Sequence, residues 1–326
     1  MAGSTVGLPR KEGMNLKGAR IAVTGATGFI GRHIVESLQT RGASVAAVVR
    51  NREKALAIGF PNRDIILADL SDLPALSAAF AGMDAIVSSA ALFRIRNTDW
   101  RAHMAANVVG TENVMTAAHE AGVSRVVHIS SVAVYRGAWR RVLNEDAPRL
   151  TIRDLTPFNA YSVSKALSES RAWELAARFG LNLTCCRPSS VFGPWDPNIT
   201  PLIARVLSYP VAPVPCGMKA GLVYAGDVAQ AVALMLENEV SSGKSYNITG
   251  LHDSSSDFLA AWKIAGGPWP GLTIPVWFPM KRLWDNSLAE VELGWKNSTR
   301  EEALTRTFQQ EPVPGHSNSD HIKETA

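Results

Sequence analysis

A doubly wound α/β fold on a parallel sheet, with a smaller C-terminal lobe, is what this sequence predicts, and three observations carry the prediction. Short apolar segments alternate with helical ones through the first half of the chain. These segments are apolar enough to be buried on both faces, as a parallel sheet covered by helices requires. The first of them, Arg20 to Thr24, runs straight into VTGATGFIGR (Val23 to Arg32), where Gly25, Gly28 and Gly31 open a helix reaching about Arg41.

Each glycine answers a physical need. One makes the tight turn off the strand, one lets a pyrophosphate approach the backbone, and one lets helix and sheet pack closely. The helix then offers free N–H groups and a positive dipole end to phosphates. The expected frame is therefore a Rossmann-type nucleotide-binding unit.

Ala43 to Val49 is the second strand, ending at Arg50. An acidic residue there would hold a ribose 2′-hydroxyl, whereas a cation suits a 2′-phosphate. Arg50, helped by Lys54 and less directly by Arg32, thus points to NADP(H). Asp64 to Ala68 forms the third strand, with Asp69 and Leu70 after it where an adenine ring would rest. Asp72 caps a helix through Phe80, and Asp84 to Ser88 is the fourth strand. A long helix, Asp99 to Ala121, carries Asn107, and Arg125 to Ser130 is the fifth strand.

Ser131 to Thr156 is a long connection of the kind that is usually functional. Helix Asn159 to Phe179 and strand Leu181 to Arg187 follow. Beyond Pro188 prolines become dense, and six tryptophans from Trp195 to Trp295 mark a lobe that shapes a substrate cleft. The expected division is a tail (1–17), an NADP-binding domain (18–190, with 222–240 returning to it), a substrate lobe (191–311) and a mobile tail (312–326). Met14 is a candidate natural start.

Composition excludes several classes. With 46% hydrophobic and 19% charged residues among 326, the chain reads as an ordinary globular protein. A net charge of +4 without an aromatic-basic stripe argues against a nucleic-acid partner. No run reaches transmembrane length and no secretory leader is evident, so no membrane partner is expected. Cys185, Cys186 and Cys216 suit neither a disulfide framework nor a metal site, and reduced thiols fit a cytoplasmic location.

Ser131, Tyr161 and Lys165 decide the chemistry. Tyr161 and Lys165 are four residues apart on a helix and share a face. A phenol of ordinary pKa about 10 is a poor acid-base catalyst at neutral pH, and a nearby ammonium lowers that value. Ser131, just after the fifth strand, would hydrogen-bond the substrate oxygen.

TGATGFIG (Thr24 to Gly31), Asp69-Leu70, Asn107 to Thr111, Ser130 to Tyr135, Tyr161 to Lys165 and Arg187 to Pro194 together resemble the extended short-chain dehydrogenase/reductases. Later matches are Tyr224 to Val228, Tyr246 to Ile248 and Leu293 to Trp295, so the resemblance covers roughly residues 18–305. It implies that Tyr161 is the acid-base, Lys165 its modulator and reach to the nicotinamide ribose, Ser131 the oxygen clamp, and Asn107 part of a proton relay. It also implies a coenzyme lying against Gly25, Thr27, Gly28, Phe29, Ile30, Gly31, Asp69, Leu70, Ser89, Ala90, Ala91, Pro188, Ser189 and Val191.

The cleft implied by the resemblance is bounded by Phe93 to Arg96 (Phe93 and Arg94 foremost), Tyr135, Phe192, Trp195 and Tyr224. Their apolar and aromatic character suits a largely hydrophobic ketone, aldehyde or alcohol. A homodimer through the helices Asp99 to Ala121 and Asn159 to Phe179 is also implied. Nucleotide-sugar epimerases usually carry Arg where this chain has Ala220, and an acidic residue where it has Arg50. Both departures turn the resemblance toward the dihydroflavonol reductase and hydroxysteroid dehydrogenase branch. Two alternatives stay open: a sugar-nucleotide epimerase or dehydratase with retained NAD, and a non-catalytic NADP-binding regulator.

Overall fold

The computed structural model describes residues 13–93, 99–137, 142–250, 254–278 and 281–309. β-branched and small residues extend β1 (Arg20–Thr24), β2 (Ser44–Val49), β3 (Ile65–Leu67), β4 (Ala85–Ser88) and β5 (Arg125–Ile129). Between them stand α1 (Phe29–Thr40), α2 (Arg52–Ala57), α3 (Leu73–Phe80), α4 (Trp100–His103) and α5 (Gly110–Glu120). Asp72 starts α3 by accepting from the Ala75 N–H at 3.0 Å.

After the short β6 (Val142–Leu143) come α6 (Ala160–Phe179), β7 (Asn182–Pro188) and β8 (Ser190–Phe192). The C-terminal part adds α7 (Ile199–Leu207), β9 (Val211–Cys216), β10 (Lys219–Ala220), β11 (Leu222–Tyr224), α8 (Ala225–Glu237), β12 (Ser245–Ile248) and α9 (Ser255–Ile264).

Seven strands form one sheet in the order β12-β7-β5-β4-β1-β2-β3. Every neighbouring pair is parallel. Strand order reverses between β1 and β4, which opens a crevice at their C-terminal ends, the place where such sheets bind ligands. One face is covered by α1 and α8, with Ile34, Leu38, Val232 and Leu236 fully buried. The other is covered by α3, α5 and α6, with Leu76, Phe80 and Met115. A separate core of Phe192, Tyr224, Phe258 and Trp262 holds the C-terminal lobe together.

Three features depart from the sequence reading. Leu222–Tyr224, expected to return to the sheet, pairs instead with β8, while the seventh strand is β12. The expected helix Asp99 to Ala121 is interrupted by a π-helical stretch, Met104–Val109. The connection after Ser131 is tied down by short 3₁₀ turns and by β6. Residues 310–326, which include the predicted tail, and Arg94, Arg96, Trp139, Arg140 and Arg141 lie outside the described residues. Among the described residues no helix is long and apolar enough to cross a membrane.

Candidate active site

The turn after β1 builds a cradle in which side chains have no room. Gly25 has φ of +67°, and a Cβ there would meet the Ala90 Cα at 2.7 Å. A Cβ on Gly31 would fall 2.1 Å from the Gly25 carbonyl oxygen, so the third glycine lets α1 close onto the turn. Thr24 joins this turn to the end of β4: its hydroxyl accepts from Ser89 N at 3.1 Å and Ala90 N at 3.3 Å. Thr27, Gly28, Phe29 and Ile30 stand on the open side, exposed or half-buried.

Gly28 caps α1 without a side-chain bond, and no acidic residue lies in the first turn. The first amides of this 12-residue helix are thus left for an anion. Ser189 adds a second sign of a missing partner, because its buried hydroxyl has none among the described residues. The close glycine backbone, the uncapped helix and the orphaned hydroxyl together fit a dinucleotide lying from α1 across β4 toward Ser189.

Arg50 stands at the end of β2, largely in solvent, with its Nε 3.8 Å from Asp69 Oδ2. Asp69 is held below the usual carboxylate range by the Ser71 hydroxyl and amide, with Arg50 contributing. Lys54 is exposed one turn into α2, and Leu70 packs where a Cβ on Gly110 would touch it at 2.9 Å. Arg32 does not turn to this corner; its guanidinium lies over the Trp195 ring at 5.3 Å.

The chemical residues meet beside the cradle. The Ser131 hydroxyl, just beyond the end of β5, acts on the Tyr161 phenol and eases its ionisation. Burial acts more strongly in the other direction and pushes Tyr161 up to about 12. The Ser131 hydroxyl also reaches the Pro188 carbonyl at 3.5 Å and accepts from Ala133 N at 3.1 Å. Phe93 packs edge-on against Tyr161, ring centres 4.7 Å apart.

Lys165 is buried one turn beyond Tyr161 on α6 and donates to the Ile129 carbonyl at 2.6 Å. Burial lowers it to about 8, against the pull of Glu169. The causes that move Tyr161 are burial and the Ser131 hydroxyl.

Asn107 lies in the π stretch, a feature often found at functional sites. Its amide clips Leu92 at both backbone groups, accepting from Leu92 N at 2.7 Å and donating to Leu92 O at 3.2 Å. It also donates to Ser164 Oγ at 2.9 Å. The side chain thereby fixes the segment after Ala91 against α6.

The residues expected to contact substrate divide. Phe93, Ser131 and Tyr161 come together. Phe192 and Tyr224 are buried and line an apolar cavity in the C-terminal lobe. Trp195, at φ of +63°, packs on α1 beside His33, ring centres 4.9 Å apart. His33, held near 4 chiefly by burial, is neutral, and its Nε2–H donates to the Pro194 carbonyl at 3.1 Å. Tyr135 belongs to the core instead: only 4% exposed, it donates to Asn247 Oδ1 at 2.6 Å and accepts from Arg187 Nη1 at 2.7 Å. The resemblance implied a place for it at the cleft, whereas its hydroxyl serves this buried network.

Glu169 and Arg149 were not singled out from sequence, and Arg187 only as the start of the Arg187 to Pro194 motif, although the spacing of Glu169, four residues beyond Lys165, placed it on the face of α6 that carries Tyr161 and Lys165.

The family model of the NAD dependent epimerase/dehydratase family matches residues 21–249. Sterol demethylase protein B of Methylococcus capsulatus is 31% identical over 260 residues, which cover 78% of this chain and 76% of that protein. A putative dihydroflavonol 4-reductase of Synechocystis is 29% identical over 280 residues, 83% of this chain and 80% of the relative. Among solved structures, MoeE5 in complex with UDP-glucuronic acid and NAD has a TM-score of 0.71 at 27% identity, covering 89% of this chain and 98% of that one.

Proposed function

Because the chain belongs to the NAD dependent epimerase/dehydratase family, within the extended short-chain dehydrogenase/reductases, we propose that it is an NADP(H)-dependent oxidoreductase acting on a largely hydrophobic small molecule. In this reading it reduces a ketone or aldehyde, or oxidises the matching alcohol. The observation that carries it is the meeting of a protonated phenol, a hydroxyl and a buried amine beside a glycine cradle shaped for a dinucleotide. Arg50 at the end of β2 supports the phosphorylated coenzyme, and the name of the Synechocystis relative supports a reductase.

When bound, the coenzyme supplies or takes the hydride at nicotinamide C4. Ser131 and Tyr161 would both donate hydrogen bonds to the carbonyl oxygen, polarising it and fixing its distance from the phenol. With Tyr161 at about 12, the phenol enters neutral solution protonated, as the acid of a reduction must. It would give that proton to the oxygen as negative charge develops there. Lys165, mostly ammonium at neutral pH with its value near 8, would then stabilise the phenolate. Phe93 would help exclude water from that proton transfer.

A second reading, a sugar-nucleotide epimerase or dehydratase with retained NAD, draws on one observation: Arg50 faces Asp69 at 3.8 Å, which takes up part of its charge. The test of the first reading is Tyr161→Phe, assayed with NADPH against apolar ketones and aldehydes. Turnover is expected to fall by about a hundred- to ten-thousandfold, with NADPH binding kept. Undiminished turnover would sink the assignment.

A further inference from the structure

A two-stranded ribbon in the C-terminal lobe turns an apolar face to solvent. β9 pairs in parallel with β13 (Leu272–Trp277), with Leu272 opposite Val211 and Trp277 opposite Cys216. Leu272, Ile274 and Val276 share a face with Val211 and Pro213, because side chains two apart on a strand point the same way. All of these residues are exposed, Leu272 by 58%. Tyr209 stands exposed where the chain enters β9, and Trp277 and Phe278 stand exposed at the other end. Trp277 is 73% exposed, and its ring lies against Gly217, where a Cβ would meet it at 2.8 Å. Adjoining apolar residues of this kind mark an interaction site, which singly scattered ones do not.

Two features narrow the partner. Pro213 and Pro215 in β9 and Pro275 in β13 have no N–H to donate, so the ribbon is a poor template for a further strand. The partner therefore lies on the face rather than along the edge.

The second feature is charge. Residues 197–226 and 258–284 contain Arg205, Lys219, Lys263, Lys281 and Arg282 and no Asp or Glu. Arg205, Lys219 and Lys263 are exposed. Lys219 and Lys281 are register partners across β10 and β14 (Lys281–Trp284), just beyond the C-terminal end of the ribbon. Asp196 and Asp227, which bound the first segment, are buried. Asp257, at the start of α9, accepts from the Ser254 hydroxyl at 2.7 Å. A second copy docked face to face would bring these cations together, with no carboxylate from either segment to pair them. An anionic surface is their complement.

We infer that this face docks the protein on an anionic lipid surface. The apolar side chains enter the boundary between headgroups and acyl chains, and Trp277 and Tyr209 rest at headgroup level. Arg205, Lys219 and Lys263 supply the attraction to lipid phosphates. The expectation of no membrane partner rested on the lack of a long apolar run, and a face assembled from strands far apart in the chain leaves none. The docking is independent of which reaction the site performs.

The experiment uses the full chain with vesicles of phosphatidylcholine alone and of phosphatidylcholine mixed with phosphatidylglycerol, read by co-sedimentation at low and high salt. The anionic vesicles should be bound more tightly than the neutral ones, and salt should weaken that binding. Trp277→Ser and, from the other strand, Val211→Ser should each weaken it, the tryptophan change by about tenfold or more, the value of burying a large apolar side chain. Arg205→Ser and Lys263→Ser should each weaken it by up to about fivefold, the value of one cation near such a surface. Thermal melts identify a variant that fails to fold, and the variant on the other strand then carries the test. No binding to either vesicle, equal binding to both, or binding kept in full by the folded variants overturns the proposal. So does a dimer in sedimentation velocity that Trp277→Ser dissociates, which would assign the face to a second copy.

Discussion

Glu169 grips Arg187 through two bonds, Nη2 to Oε1 at 2.5 Å and Nε to Oε2 at 3.0 Å, with both side chains out of solvent. Arg149 adds a bond at 2.7 Å and Ser130 another at 2.6 Å. Ser130 precedes Ser131, Arg187 precedes Pro188, and Glu169 lies one turn beyond Lys165. One carboxylate thus ties together the three segments that carry the site.

Removing its charge leaves two guanidinium groups facing a neutral amide. Glu169→Gln is expected to cost about 3–5 kcal/mol of stability, the usual cost of breaking a buried pair, measured by urea unfolding at neutral pH. Burial opposes ionisation of Glu169, but Arg187, Ser130 and Arg149 outweigh it and hold the group near 2. Its folded value lies below the unfolded one of about 4.3. The stabilisation is therefore present above that unfolded value and fades as pH falls from there toward 2. The wild type should show this acid loss, and Glu169→Gln should lack that part of it.

Lys165 works in the opposite sense. Its folded value, about 8, lies below its ordinary 10.5, so the folded chain binds the proton less well than the unfolded chain. The penalty is complete below about 8 and is relieved as pH rises toward 10.5, amounting to roughly 3 kcal/mol. Lys165→Met should lose turnover yet be more stable than the wild type at neutral pH, with the gap closing in alkaline solution. A variant less stable than the wild type in denaturant titrations at neutral pH contradicts this.

Arg50→Ser should weaken NADPH binding by about five- to fiftyfold, in the range of a charge-assisted bond, and leave NADH binding nearly unchanged. Fluorescence titration with each coenzyme reads the difference. Equal losses for both would place Arg50 outside the phosphate site. Lys54→Ser, on an exposed helical turn, should show the same selectivity to a smaller degree.

Local signals made much of this molecule readable. The glycine spacing marked a cradle whose closeness the Cβ distances show, and Asp72 announced α3 through a bond it makes within one turn. What stayed hidden depends on partners far along the chain. The π stretch around Asn107 is visible only once Leu92 arrives from the end of β4 to be clipped. Tyr135 looks like a cleft residue until Arg187 and Asn247, more than fifty positions away, take its hydroxyl. The apolar cavity is assembled from α7, α9 and the strands between, so no single segment carries its pattern.

The most direct measurement identifies the coenzyme. Freshly purified protein is denatured and any released nucleotide identified, and the coenzyme-free chain is then titrated with NADPH and NADH. The account predicts that the protein arrives without tightly held coenzyme and prefers NADPH clearly, as a reductase that exchanges its coenzyme must. Tightly retained NAD⁺ with no preference for the phosphate would contradict it, and would make the sugar-nucleotide epimerase or dehydratase the better reading.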